Sequence, residues 1–187
     1  MSKGKREAQP SRDRVSFSID LLGSTGMGSA MEPAALRNSL DLLLAELGRA
    51  AGIEGLATNE QGVCILVFAP GTHLNLMADP STGHVVLWSP LGDLPAGRRA
   101  ETLELLMRAN LFWNGTRGAT VGLMPQSDEV VLACRLPLDG LGVEALRQAV
   151  ELMVEGAEDL VRRIGAAPAA PTAAPDAFTL HAMAIRG

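Results

Sequence analysis

Three short apolar runs, separated only by turn sequences, constrain the fold of this chain more than any other feature. The runs are residues 62–68, 72–79 and 84–89, and the connections at 70–71 and 80–83 both contain Pro and Gly. Connections this short join only antiparallel neighbours, because a parallel crossover needs about a dozen residues or more. The sequence therefore predicts a three-stranded antiparallel meander.

Helical patterns flank this meander. Apolar residues recur at helical spacing from residue 33 to about 51, where Gly52 ends the pattern, and again over residues 143–164. A helix opened by a proline is predicted over residues 95–113, and a second hairpin turns around residues 126–128. The order helix, three strands, helix, two strands, helix predicts an α+β fold in which helices cover an antiparallel sheet.

The ends of the chain differ in composition from its middle, which divides it into three parts. Residues 31–165 form the predicted domain, and the Ala/Pro-rich residues 166–187 are typical of a mobile tail. Residues 1–30 are interpreted as a tag, a fused segment or an added extension. Within them, residues 15–22 alternate apolar and polar side chains and are predicted to dock as an extra strand on the sheet of the same or the partner subunit. The alternative is a tag whose alternation is chance.

Charge and aromatic content exclude one class of partner. Residues 31–165 hold 10 Arg, no Lys and 17 acidic residues, and the whole chain is 3% aromatic with no Tyr. A nucleic-acid-binding domain needs a basic surface and stacking rings, so no nucleic-acid partner is predicted. The first apolar stretch, residues 15–22, contains Asp20 and is too short for a signal peptide or a membrane span. We therefore expect a cytoplasmic protein without a membrane span.

No arrangement of reactive residues points to catalysis. His73, His84 and His181 have no metal-ligand spacing with one another or with Cys64 and Cys134, and no nucleophile motif is present. Both cysteines lie in apolar runs, where a reduced thiol behaves as a small hydrophobic group. We predict no catalytic residue, no metal, no cofactor and no enzymatic activity.

The length of the first turn decides which side chains of the meander face outward. A two-residue loop at 70–71 pairs Ala69 with Thr72, and a four-residue loop pairs Asp79 with His84. The face covered by helices then carries Val63, Ile65, Val67, Leu74, Leu76, Ala78, Val85 and Leu87. The opposite face carries Cys64, Leu66, Phe68, His73, Asn75, Met77, Val86 and Trp88. This mixed, Met-bearing face is predicted to be a binding surface, unless another element of the same chain covers it.

The middle helix carries two apolar stripes, which is more than contact with one sheet requires. The first stripe consists of Leu103, Leu106 and Met107. The second consists of Leu105, Ala109 and Phe112. We predict that this second stripe is the interface of a homodimer, since two-fold symmetry is the commonest arrangement of oligomers.

Several short pieces, taken in order, resemble a known family. They are residues 74–76 (LNL), 90–92 (PLG), 109–112 (ANLF) and 136–138 (LPL), within a region from 33 to 164. This region is similar to the Tir-chaperone (CesT) type of class I type III secretion chaperone. The resemblance implies a small, acidic, cytoplasmic bacterial homodimer that binds the N-terminal region of a secreted effector in a non-globular state, without nucleotide. Residues 1–30 and the Ala/Pro-rich tail lie outside the family pattern.

The resemblance turns the predicted binding surface into a predicted effector site. We expect an extended effector segment to bind along Cys64, Leu66, Phe68, Met77, Val86 and Trp88. An extended peptide would contribute backbone hydrogen bonds and alternate side chains, so no chemistry is needed. The alternative function is an α+β regulatory adaptor that binds a folded protein or a small ligand.

Overall fold

The computed structural model describes residues 32–69 and 71–165. The predicted strand at 15–22, the N-terminal extension and the tail at 166–187 lie outside these residues. The elements are α1 (Pro33–Ala51), β1 (Val63–Phe68), β2 (Thr72–Asp79), β3 (His84–Asp93), α2 (Arg99–Asn110), β4 (Thr120–Leu123), β5 (Glu129–Pro137) and α3 (Val143–Gly165). Single 3-10 turns lie on either side of α2. This order confirms the predicted α+β fold.

The five strands form one antiparallel sheet in the order β1-β2-β3-β5-β4. Helices α1 and α3 contact each other and pack on one face of the sheet, whereas α2 lies beside the edge strand β4. The core between helices and sheet is built from fully buried side chains, among them Leu40, Leu44, Leu74, Leu76, Val85, Leu87, Leu132, Leu146 and Leu160. Strands β1 and β4 are the two edges of the sheet.

Helix α1 holds the start of β1 close to its own first turns. Its bounds agree with the helical pattern, because Gly52 adopts the left-handed conformation (φ 71°) that ends a helix. The loop that follows the helix bonds back to its first turns. Arg37 Nε donates to Thr58 Oγ1 (2.9 Å), and the Thr58 N–H donates to Asp41 Oδ1 (2.8 Å). These bonds fasten the loop that leads from α1 to β1.

The predicted register between β1 and β2 is wrong by one residue. Phe68, not Ala69, pairs with Thr72, because the connection has three residues instead of two. The Gly71 N–H closes this loop by donating to the Phe68 carbonyl (2.7 Å), and Gly71 has a φ of 141° that favours glycine. A one-residue shift moves every β1 side chain to the other face.

The inward-facing and outward-facing residues are therefore the reverse of the prediction in β1, and only in β1. Cys64 and Leu66 lie in the core, only 2% and 9% exposed, and Phe68 is half-buried against it. Their predicted place on the outward face is wrong. The pairing of Asp79 with His84 is confirmed, so β2 and β3 present the faces that the sequence predicted.

Candidate functional site

The outward face of β1, β2 and β3 presents apolar side chains that neither α1 nor α3 covers; we call it the open face. Two rows of paired residues cross it, Ile65–Asn75–Trp88 and Val63–Met77–Val86. Met77, Val86 and Trp88, three of the predicted binding residues, lie on this face and are half-buried. Within the first row, Asn75 Nδ2 donates to the Trp88 carbonyl (3.3 Å).

Val63, Ile65 and Val67, which the sequence prediction assigned to the helix-covered face, lie on the open face instead. Ile65 and Val67 are 53% and 64% exposed, although both are large and apolar. Their alternation with the buried Cys64 and Leu66 was visible in the sequence, but alternation does not say which set faces inward. The pairing of Phe68 with Thr72 in the folded sheet shows which set does.

The backbone of β1 offers a second kind of contact beside the open face. At Val63 the outward groups are already bonded, since the Asn59 N–H donates to the Val63 carbonyl (2.9 Å) and the Val63 N–H donates to Asn59 Oδ1 (3.1 Å). Backbone groups point alternately to the two sides of a strand. The N–H and C=O groups of Ile65 and Val67 therefore point away from β2, as those of Val63 do. Within the described residues β1 pairs only with β2. We call these outward groups of Ile65 and Val67 the β1 edge.

Burial makes the two cysteines unsuitable as nucleophiles. Removal from water raises the pKa of the Cys64 thiol to about 11, with a smaller contribution from the charge of Asp41. The same effect raises the pKa of Cys134 to about 11. A thiol with such a pKa is protonated at neutral pH, and the thiolate is the reactive form. Both cysteines therefore act as packing residues.

A separate apolar surface lies at the end of α2. It consists of Met107, Leu111, Phe112 and Trp113, which are 56–75% exposed, and we call it the α2-end patch. Of the three residues predicted for a dimer interface, Phe112 belongs to this patch and Leu105 is half-buried nearby on α2. Ala109 is only 2% exposed and packs inside the chain, where a Cβ on Gly115 would lie 2.7 Å from its Cα.

The backbone of the α2-end patch is held in an unusual conformation. Phe112 and Trp113 have φ values of 54° and 56°, in the region that residues with a side chain rarely adopt. Each such residue costs about 1–3 kcal/mol and persists where surrounding contacts enforce it. Here the fully buried Thr116 donates from Oγ1 to the Ala119 carbonyl (2.5 Å), and the Gly118 N–H donates to the Trp113 carbonyl (3.2 Å). The loop thus presents two exposed aromatic rings on a fixed backbone.

Neither a metal-binding cluster nor a membrane-spanning helix is found in the described part of the chain. Residues 32–69 and 71–165 contain no group of three or more His, Cys, Asp or Glu side chains placed to hold a metal ion. None of the helices in these ranges is long and apolar enough to cross a membrane.

Comparison with known sequences identifies relatives of this chain. The sequence model of the Tir chaperone protein (CesT) family matches residues 42–161. The chain is 27% identical over 120 residues to the Tir chaperone of Citrobacter freundii, across 64% of this chain and 76% of that protein. It is 26% identical over 120 residues to the Tir chaperone of Escherichia coli O157:H7, with the same coverage.

Solved structures show the same fold. A chain of the ExsC–ExsE complex matches with a TM-score of 0.60 at 20% identity, covering 71% of this chain and 98% of that one. A chain of the HopA1–SchA chaperone–effector complex matches with a TM-score of 0.59 at 17% identity, covering 67% and 95%. The structure of the Yersinia pestis type III secretion chaperone SycH with a stable fragment of YscM2 matches with a TM-score of 0.52 at 22% identity, covering 64% and 98%.

Proposed function

The chain belongs to the Tir chaperone protein (CesT) family, and on this basis we propose that it is a type III secretion chaperone. It binds the N-terminal segment of a secreted effector in extended form and keeps that segment soluble and competent for export. One solved structure with this fold, that of HopA1 and SchA, is a chaperone–effector complex, which supports the proposal. Family membership favours a binding role over catalysis and a place in the bacterial cytoplasm.

The observation that carries this proposal is an apolar strand edge beside an apolar face. Ile65 and Val67 combine exposed side chains with outward backbone groups. An extended peptide that pairs with the β1 edge gains main-chain hydrogen bonds, while its alternate side chains reach the open face. Met77, Val86 and Trp88 continue that face across the neighbouring strands. Ordering a flexible segment costs a few kcal/mol, so a wide apolar contact is needed to offset the cost.

The α2-end patch supports the homodimer that the sequence predicts. Four large apolar side chains are exposed together there, and a contiguous patch of this kind marks an interaction site. A two-fold axis would bring Phe112 of one subunit against the same surface of its partner. We assign Leu105 and Phe112 to this interface. Ala109 is not part of it, because it is buried within the subunit, where the missing Cβ of Gly115 allows a close approach to α2.

The effector fragment that co-purifies with the chain from its native cytoplasm provides the probe for a direct test. Once the fragment is identified, its affinity is measured for the wild type, for Trp88→Ser and for Met77→Ser. Leu152→Ser is the matched control, because Leu152 is 39% exposed on α3, away from the open face. We expect both open-face variants to bind about tenfold more weakly or worse, with the control unchanged.

The state of the bound partner separates the two functions that the sequence allows. A chaperone holds a fragment that a protease still cleaves, since the segment is not globular. Recovery of a protease-resistant folded domain, or equal affinity in all four proteins, would contradict the proposal and favour an adaptor.

A further inference from the structure

The β1 edge has the properties that natural proteins normally suppress at the border of a sheet. Edge strands are usually shielded by charges, prolines, bulges or a covering element, because their free backbone groups invite another strand. Strand β1 (VCILVF) contains no charge and no proline, and its outer residues Ile65 and Val67 are more than half exposed. An unshielded apolar edge of this kind needs an occupant.

The chain carries a segment with the matching pattern. Residues 15–22 (VSFSIDLL) place apolar side chains at Val15, Phe17, Ile19 and Leu21, with polar ones between them. Such a period of two matches a strand with one side against an apolar surface and the other toward water.

The tether between this segment and the domain is long enough. Ten residues, 23–32, separate the segment from Pro33 and can span up to about 33 Å at roughly 3.3 Å per residue. Pro33 and Gly62 line the same cleft, so the tether begins next to the start of β1. Strand β1 is six residues long, or about 20 Å, so the segment can reach every part of it.

Charge also favours this contact. Residues 1–30 hold five basic and three acidic side chains, whereas residues 31–165 hold 10 basic and 17 acidic ones. Opposite net charges attract the extension to the domain, and covalent attachment gives the segment an effective concentration in the millimolar range. A free partner must compete with the tethered segment at that effective concentration.

We propose that residues 15–22 add to the β1 edge of the sheet as a sixth, antiparallel strand, with Phe17 and Ile19 beside Ile65 and Val67 on the open face. In the antiparallel direction Leu22 lies toward the start of β1, where the tether begins. The docked strand shields the edge until an effector segment displaces it. This regulatory consequence rests on the proposed function, but the docking itself does not.

Amide hydrogen exchange on the full chain tests the docking. Three proteins are compared: the wild type, the double variant Phe17→Asp/Ile19→Asp, and the double variant Ser16→Asp/Ser18→Asp, which adds the same charge on the other side of the segment. We expect the amides of Ile65 and Val67 to exchange about tenfold faster or more in the first variant, and at the wild-type rate in the second. Equal exchange of these two amides in all three proteins would overturn the proposal.

A peptide added in trans gives a second readout. A synthetic peptide of residues 14–23 should bind the Phe17→Asp/Ile19→Asp protein about tenfold more tightly than the wild type, whose edge is already occupied. Equal binding to both proteins, or binding to neither, would contradict docking. Neither measurement contains an effector, so failure here leaves the chaperone function standing. Conversely, unchanged effector affinity in Trp88→Ser removes the proposed site without affecting the exchange result.

Discussion

The side-chain amide of Asn110 takes the place of a neighbouring strand for Val121. The Val121 N–H donates to Asn110 Oδ1 (2.8 Å), and Asn110 Nδ2 donates to the Val121 carbonyl (2.9 Å). Val121 lies in the edge strand β4 and Asn110 is the last residue of α2. This pair of bonds ties the end of α2, and with it the α2-end patch, to the sheet.

Replacement of Asn110 by Ala should lower the free energy of unfolding by about 1–3 kcal/mol. The substitution removes both bonds and leaves partly buried backbone groups of Val121 without their partner. Asn114→Ala is the matched control, because Asn114 is exposed in the following turn. Urea titrations of the two variants provide the comparison, and equal midpoints would show that the Asn110 amide contributes nothing to stability.

Neighbouring substitutions in β1 should differ strongly in stability. Leu66→Ala is expected to lose about 2–5 kcal/mol, because it leaves a cavity in the core. Ile65→Ala should lose less than about 1 kcal/mol, since its side chain is 53% exposed. Denaturant unfolding measures both. A larger loss for Ile65→Ala would restore the register predicted from a two-residue loop.

Phe112→Asp should convert the proposed dimer into a monomer. The charge would be buried in an apolar interface without a partner, which is costly. Phe112 is 75% exposed within the subunit, so the fold should survive, as circular dichroism can check. Light scattering measures the mass, with Val161→Asp on the exposed side of α3 as the control. A wild type that is already monomeric at tens of micromolar would argue against this interface.

Stability should fall between pH 9 and pH 11. Burial raises the pKa of Cys64 and of Cys134 from 9.0 to about 11, so in this range the unfolded chain releases thiol protons that the folded chain retains. Linkage then lowers the free energy of unfolding as pH rises, by up to about 2–3 kcal/mol for the buried Cys64 and by less for the partly buried Cys134. Few other side chains titrate in this pH range, because the chain has no Tyr and only two Lys, Lys3 and Lys5.

The double variant Cys64→Ala/Cys134→Ala provides the control for the pH effect. It should be less stable than the wild type at pH 8, because side-chain volume is removed from the core. Its unfolding free energy should nevertheless change less between pH 9 and pH 11. Parallel pH profiles for the two proteins would show that the thiols do not cause the decline.

Local sequence signals were sufficient to predict the helices and strands and to predict part of the open face. The leucine spacing and Gly52 predicted α1, and the turn at 80–83 correctly predicted the pairing of Asp79 with His84. As a result Met77 and Trp88 were placed on the outward face. The turn before Thr72 was less informative, because Pro70 and Gly71 suit a loop of two residues as well as one of three.

Periodicity and connection length along the chain were sufficient to predict the order of elements and the antiparallel pairing of the strands. Short motifs in a fixed order carried the family resemblance. The packed fold was needed to establish which side of β1 is covered, since every β1 side chain is apolar or a thiol and either face could have packed on the helices. It also decided that Ala109 packs inside the subunit while Phe112 remains exposed. Both outcomes depend on contacts between distant segments, the sheet with α1 and α3 and the end of α2 with Gly115, which no local pattern encodes.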